Sequence, residues 1–153
     1  TPDPTVNWNT YTNTKYNFTI KYPNRINASN EIWIYKEIPL GTAGGGTNIN
    51  FGIPPSEYIW GISIWKAENP PNKSVEQLFN ETGQQFNDRK EDRKNITING
   101  KTALLVTVTT NQVQNWTSKH VYVENKGKSY LISNGTIEIP EFDNFYNSFK
   151  LLN

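Results

Sequence analysis

The chain has 153 residues, enough for one domain with a core of its own and short for two. A formal net charge of +1 leaves no basic face for nucleic acid or an anionic membrane surface, and no apolar run approaches the ~20 residues that span a bilayer. The absence of Cys excludes disulfides, thiolate catalysis and Cys-ligated zinc. Met is absent too, which leads to the expectation that a signal segment has been removed or that the sequence begins internally. Apolar residues make up 35% of the chain and aromatic residues 13%, so large rings must supply much of the core.

Residues 1–5 (TPDPT) place two prolines among small polar residues, and residues 1–10 are expected to be an extended tether ahead of one domain over 11–153. In residues 17–23 (NFTIKYP), Phe18, Ile20 and Tyr22 alternate with polar neighbours, which predicts a half-buried strand closed by Pro23. Residues 32–38 (IWIYKEI) predict a second. Residues 41–55 hold Gly44-Gly45-Gly46; no Lys-Ser/Thr pair follows, so they predict a flexible loop and not a phosphate cradle. Residues 58–67 (YIWGISIWKA) are apolar on both faces and predict a central strand.

Residues 74–86 predict a helix, opened by the capping box Ser74-Val75-Glu76-Gln77 and carried by Val75, Leu78, Phe79 and Phe86. The mixed charges of residues 88–94 (DRKEDRK) predict a solvated connection. Asn99-Gly100 predicts a type I′ hairpin between residues 95–98 and 101–109, and residues 118–124 and 129–133 a second hairpin. Residues 140–152 predict a closing helix whose Phe142, Phe145, Tyr146 and Phe149 form an aromatic stripe. Six or seven strands joined by hairpins, with two helices packed on them, define an α+β fold.

Catalytic chemistry is hard to assemble from these residues. His120 is the single His, on the more polar face of its strand, and no Ser in a nucleophile-elbow context accompanies it. Asp88, Glu91 and Asp92 fall in the charged connection. Glu138, Glu141 and Asp143 cluster at a helix start, where acids suit the helix dipole. No EF-hand spacing occurs. No catalytic, cofactor or metal residue is therefore assigned. Trp33, Trp60, Trp65 and Trp116, with Tyr35, are candidates for a stacking platform that binds sugar, but the favoured role of these rings is to fill a core short of Leu and Val.

Roughly one residue in seven is Asn. N-glycosylation sequons stand at Asn17, Asn27, Asn72, Asn80, Asn95, Asn115 and Asn134, none with a central proline. Composition alone gives roughly half as many. Asn27, Asn72, Asn80 and Asn134 are expected to be the most accessible.

Several stretches also resemble a known family. Tyr11-Thr12-Asn13 followed by residues 16–23 resembles the "YTN…YGFSIKYP" opening of PsbP-related secreted proteins and lipoproteins of bacteria and archaea, with Asn17 where Gly is usual. Residues 96–103 (ITINGKTA) resemble the central "I.VNGK.A" hairpin, and residues 121–132 (VYVENKGKSYLI) the next. Residues 142–152 (FDNFYNSFKLL) resemble the terminal "F..IL.SF.F" helix. The resemblance, to the PsbP/Mog1 superfamily, implies a twisted antiparallel sheet flanked by helices. It also implies binding and assembly in place of catalysis, and no functional residue carries over. Together these features predict a non-enzymatic module outside the cytoplasm, secreted or tethered at the cell surface. It would bind a protein or copies of itself and carry N-glycans. A carbohydrate-binding module and a hydrolase are the alternatives.

Overall fold

Eleven elements follow one another in the computed structural model, which describes residues 1–24, 32–39, 46–65, 90–109, 117–135 and 139–153. They are β1 (Asn9–Asn13), β2 (Phe18–Tyr22), β3 (Ile34–Pro39), β4 (Thr47–Ile53), β5 (Ser56–Trp65), β6 (Lys90–Ile98), β7 (Lys101–Thr109), β8 (Thr117–Asn125), β9 (Lys128–Asn134), α1 (Phe142–Asn147) and β10 (Lys150–Leu151). Seven strands form one sheet in the order β3-β4-β5-β9-β8-β7-β6, and three form a second in the order β1-β2-β10. Every pairing among the described residues is antiparallel.

The hairpins follow local turn chemistry. Asn99 and Gly100 take φ 48° and 81°, and Lys126 and Gly127 take 51° and 77°. These are the left-handed pairs a two-residue turn requires. β5 lies inside the large sheet, as its two apolar faces predict. Its Trp60, Ile62 and Ile64 are buried.

The small sheet and α1 cover that face. β2 turns Phe18, Ile20 and Tyr22 inward and leaves Thr19 and Lys21 half-covered. Phe18 stacks on Phe149 at 5.4 Å, and Tyr22 meets Phe51 at 5.1 Å. From α1, Phe145 lies 4.8 Å from Trp60 and 5.3 Å from Phe51. Such ring pairs add about 0.5–1.5 kcal/mol each beyond area burial. On the other face of the large sheet, Leu104, Val106, Val108 and Tyr122 make a smaller cluster with Leu131.

The structure corrects several expectations. Residues 1–10 are not a free tether. Asp3 accepts from the Thr5 amide at 2.8 Å, Lys21 reaches Asp3 at 3.1 Å, and β1 begins at Asn9. Residues 41–55 do not form one loop, because Thr47, Ile49 and Phe51 alternate inward along β4. Residues 88–94 are not a plain connection, since β6 runs from Lys90 as an edge strand.

The closing helix is shorter than predicted. Ser148 Oγ donates to the Phe145 carbonyl at 2.6 Å and accepts the Lys21 N–H at 2.9 Å. That draws the chain onto β2, where Lys150 pairs with Thr19 and Leu151 with Phe18. The helix predicted at 74–86 lies outside the described residues. Among the described residues the fold is antiparallel β with one short helix, in place of the expected α+β sheet flanked by helices.

Candidate binding surface

Trp33 and Trp60 take the favoured of their two expected roles, filling the core in place of forming a sugar platform. Trp33 and Trp60 are 2% and 0% exposed, with ring centroids 4.7 Å apart. They sit in the aromatic core against Phe142 and Phe145, and no sugar reaches them. Scarcity of Leu and Val in the core is the physical reason: the large rings do the filling. The Trp65 side chain and Trp116 lie outside the described residues. Tyr35 is exposed, on β3.

The sequons divide in the same way. Asn17 is exposed in the turn before β2 at φ 56°, and Asn95 is exposed on β6. Asn134 is 3% exposed, and its Oδ1 accepts the Lys119 N–H at 2.7 Å. It is a structural amide closing the β8–β9 ladder, so the expected accessibility of Asn134 is corrected. Asn27, Asn72, Asn80 and Asn115 lie outside the described residues.

His120 has a Ser neighbour that the sequence order concealed. Ser118 Oγ and His120 Nε2 are 2.7 Å apart, because residues two apart on a strand share a face. Ser118 is buried near the start of β8. The pair belongs to a polar seam in the sheet, where Tyr58 Oη and Ser133 Oγ also lie 3.1 Å apart. Of the acidic residues, Glu91 pairs with Arg93 and Asp143 with Lys119. Among the described residues no group of His, Asp or Glu side chains is placed to hold a metal ion.

The sequence also concealed a network under the small sheet. Tyr11 Oη donates to Glu37 and accepts from Asn13 Nδ2 at 2.9 Å, while Asn13 Oδ1 accepts the Tyr16 N–H at 2.9 Å. Tyr130 Oη donates to the Tyr16 carbonyl at 2.7 Å. Burial, with the Glu37 acceptor beside it, pushes the Tyr11 phenol well above its ordinary 10.0. Burial pushes Tyr130 up to about 12. The network fastens β3, through Glu37, to β1.

β3 is also where apolar surface is left uncovered. It ends the large sheet, and all six of its residues are exposed. Ile34, Tyr35 and Ile38 are 39%, 49% and 38% exposed. The opposite end, β6, presents Lys90, Glu91, Asp92, Arg93 and Lys94 to solvent.

Two facing antiparallel sheets with a short C-terminal helix on the core define a PsbP-like fold. The solution structure of cyanobacterial PsbP (CyanoP) from Synechocystis sp. PCC 6803 is similar to this one with a TM-score of 0.55, over 94% of this chain and 91% of that one, at 18% identity. No family model and no curated protein matches the sequence. The likeness bears out the PsbP-like fold that the motifs around residues 11–23, 96–103, 121–132 and 142–152 imply, without the flanking helices among the described residues. Among the described residues no helix is long and apolar enough to cross a membrane.

Proposed function

We propose that the protein is a non-enzymatic extracytoplasmic module that binds a protein or copies of itself, and that it carries N-glycans. The observation that carries this is β3, an edge strand with exposed Ile34, Tyr35 and Ile38. An uncovered apolar edge offers a row of main-chain donors and acceptors, the template for adding a strand from another chain. The buried Ser118 supports the absence of catalysis. The exposed Asn17 and Asn95 support glycosylation, and hence a place outside the cytoplasm. A glycan on Asn95 would cover β6 and leave β3 as the edge open to a partner.

A photo-crosslinking residue at Tyr35, in protein from its native host, tests the reading. The expected result is a crosslink to a second copy or to another protein, lost when Ile34→Lys and Ile38→Lys are added. A Tyr35 probe that captures no protein overturns the binding role. Intact mass tests the glycans: the expected mass exceeds 17.6 kDa and drops by one glycan in Asn95→Gln. A bare polypeptide mass overturns that part.

A further inference from the structure

A second surface lies where the two hairpin turns meet the C-terminal strand. A cleft of about 350 Å³ is bounded by the β6–β7 turn at Asn99 and Gly100, the β8–β9 turn at Asn125 and Lys126, and residues 149–153. Three lysines line it, Lys101, Lys126 and Lys150, and none of its lining side chains is acidic. Lys101 Nζ donates to Asn125 Oδ1 at 2.8 Å, a neutral acceptor that leaves its charge uncompensated. Glu124, the nearby carboxylate of that hairpin, is turned to its own turn, accepting the Gly127 N–H at 2.9 Å. The floor is apolar, made by Ile98, Val123 and Phe149, all buried.

One wall is a sheet edge that no strand pairs with among the described residues, although Asn99 Nδ2 donates to the Phe149 carbonyl beside it. β10 ends the small sheet and pairs with β2 on one side. The Leu152 N–H is turned to β2, donating to the Asn17 carbonyl at 2.7 Å. Main-chain groups alternate along a strand, so those of Leu151 point to the free side. Beside that edge Leu152 is 36% exposed.

We infer that this cleft receives an extended acidic segment of a partner protein, one that alternates carboxylate and aliphatic side chains. The main chain of the segment pairs with Leu151, its carboxylates meet Lys101, Lys126 and Lys150, and its aliphatic side chains cover Leu152. A free anion uses the lysines and leaves Leu152 and the strand edge idle. A nucleic acid or an anionic membrane is drawn by a long-range field that a chain of net charge +1 does not supply. The inference rests on the protein being a binding module, and it does not need β3.

The test is an amide NMR titration of the full chain with a short peptide alternating glutamate and valine. The expected result is saturable shifts at residues 99–101, 125–127 and 150–152, weakened by added salt. The triple variant Lys101→Gln, Lys126→Gln, Lys150→Gln should bind about tenfold more weakly or worse, with an otherwise unchanged spectrum. A glutamine–valine peptide should bind as weakly as that variant does, and a lysine–valine peptide should leave the cleft unshifted. Three results overturn the inference: no cleft shifts at millimolar peptide, equal shifts from acetate or phosphate, or tighter binding to phosphatidylglycerol vesicles than to the peptide. Amides 34–39 in the same spectra report on β3, so the cleft and the edge fail or succeed separately.

Discussion

The two ends of the large sheet handle one hazard in opposite ways. β6 meets solvent with Lys90, Glu91, Asp92, Arg93 and Lys94, charges of both signs that a docking strand would have to desolvate. β3 meets it with Ile34, Lys36 and Ile38 on one face, while Tyr35 and Glu37 on the other face both contact Tyr11 of the small sheet. One edge is protected by its own side chains. The other is held in place from behind and left adhesive in front. An edge kept both ordered and apolar is what a strand-adding contact requires.

The largest effect should come from making the edges alike. Replacing Lys90, Asp92 and Lys94 with threonine removes three of the five charges that guard β6 and should create a second associating edge. Sedimentation velocity should then show larger species at concentrations about tenfold lower or more than for the wild type. Ile34→Lys with Ile38→Lys should move the protein the other way, toward monomer. If both variants sediment as the wild type does, the edges do not differ in adhesion.

Much of the difference was legible in particular residues, and some was not. Asn99-Gly100 announces its hairpin because the turn needs two left-handed residues and little else. The same local clarity made β5 a central strand. β4 was masked by its flanks: the triple glycine and Pro54-Pro55 signal a loop, although Thr47, Ile49 and Phe51 alternate between them. β6 reads as a linker because an edge strand exposed on both faces loses its alternation. The aromatic stripe correctly marks a core-facing segment, but Ser148 ends the helix by a bond to a strand 127 residues away, beyond any window of periodicity. Trp33 and Trp60 as platform or core is undecidable from spacing, since both roles use the same rings. Lys101, Lys126 and Lys150 share a cleft through tertiary folding alone.

A middle-sized effect tests how β3 is held. Tyr11→Phe removes the donor to Glu37 and the acceptor for Asn13. A hydrogen bond to a charged group contributes about 1.5–3 kcal/mol, and a loss of that order should appear in the urea midpoint. Hydrogen exchange should quicken in residues 34–39 and stay unchanged in residues 90–98. The Tyr11 phenol also gives the tie a pH dependence. Its folded-state pKa is raised, so the stability it contributes is complete below the unfolded value of 10.0 and is lost as pH climbs toward the folded one. Tyr130, raised to about 12, adds to the same alkaline limb. The wild type should therefore lose stability above pH 10 more steeply than Tyr11→Phe.

The smallest effect belongs to β6. Arg93 and Glu91 lie 3.1 Å apart with side chains 33% and 21% exposed. Two residues apart on one strand, they share a face, and solvent screens them. An exposed pair of this kind contributes about 0.2–1 kcal/mol, so Arg93→Ala should shift the urea midpoint by no more than that. The shift should shrink further at 1 M salt, where the Debye length is about 3 Å. The Tyr11→Phe loss should persist under the same salt, because Tyr11 is buried at 4% exposure. Equal salt sensitivity of the two variants would show that β3 is held by surface electrostatics. The apolar edge would then lack the rigid backing that lets it act as a docking template while β6 acts as a guard.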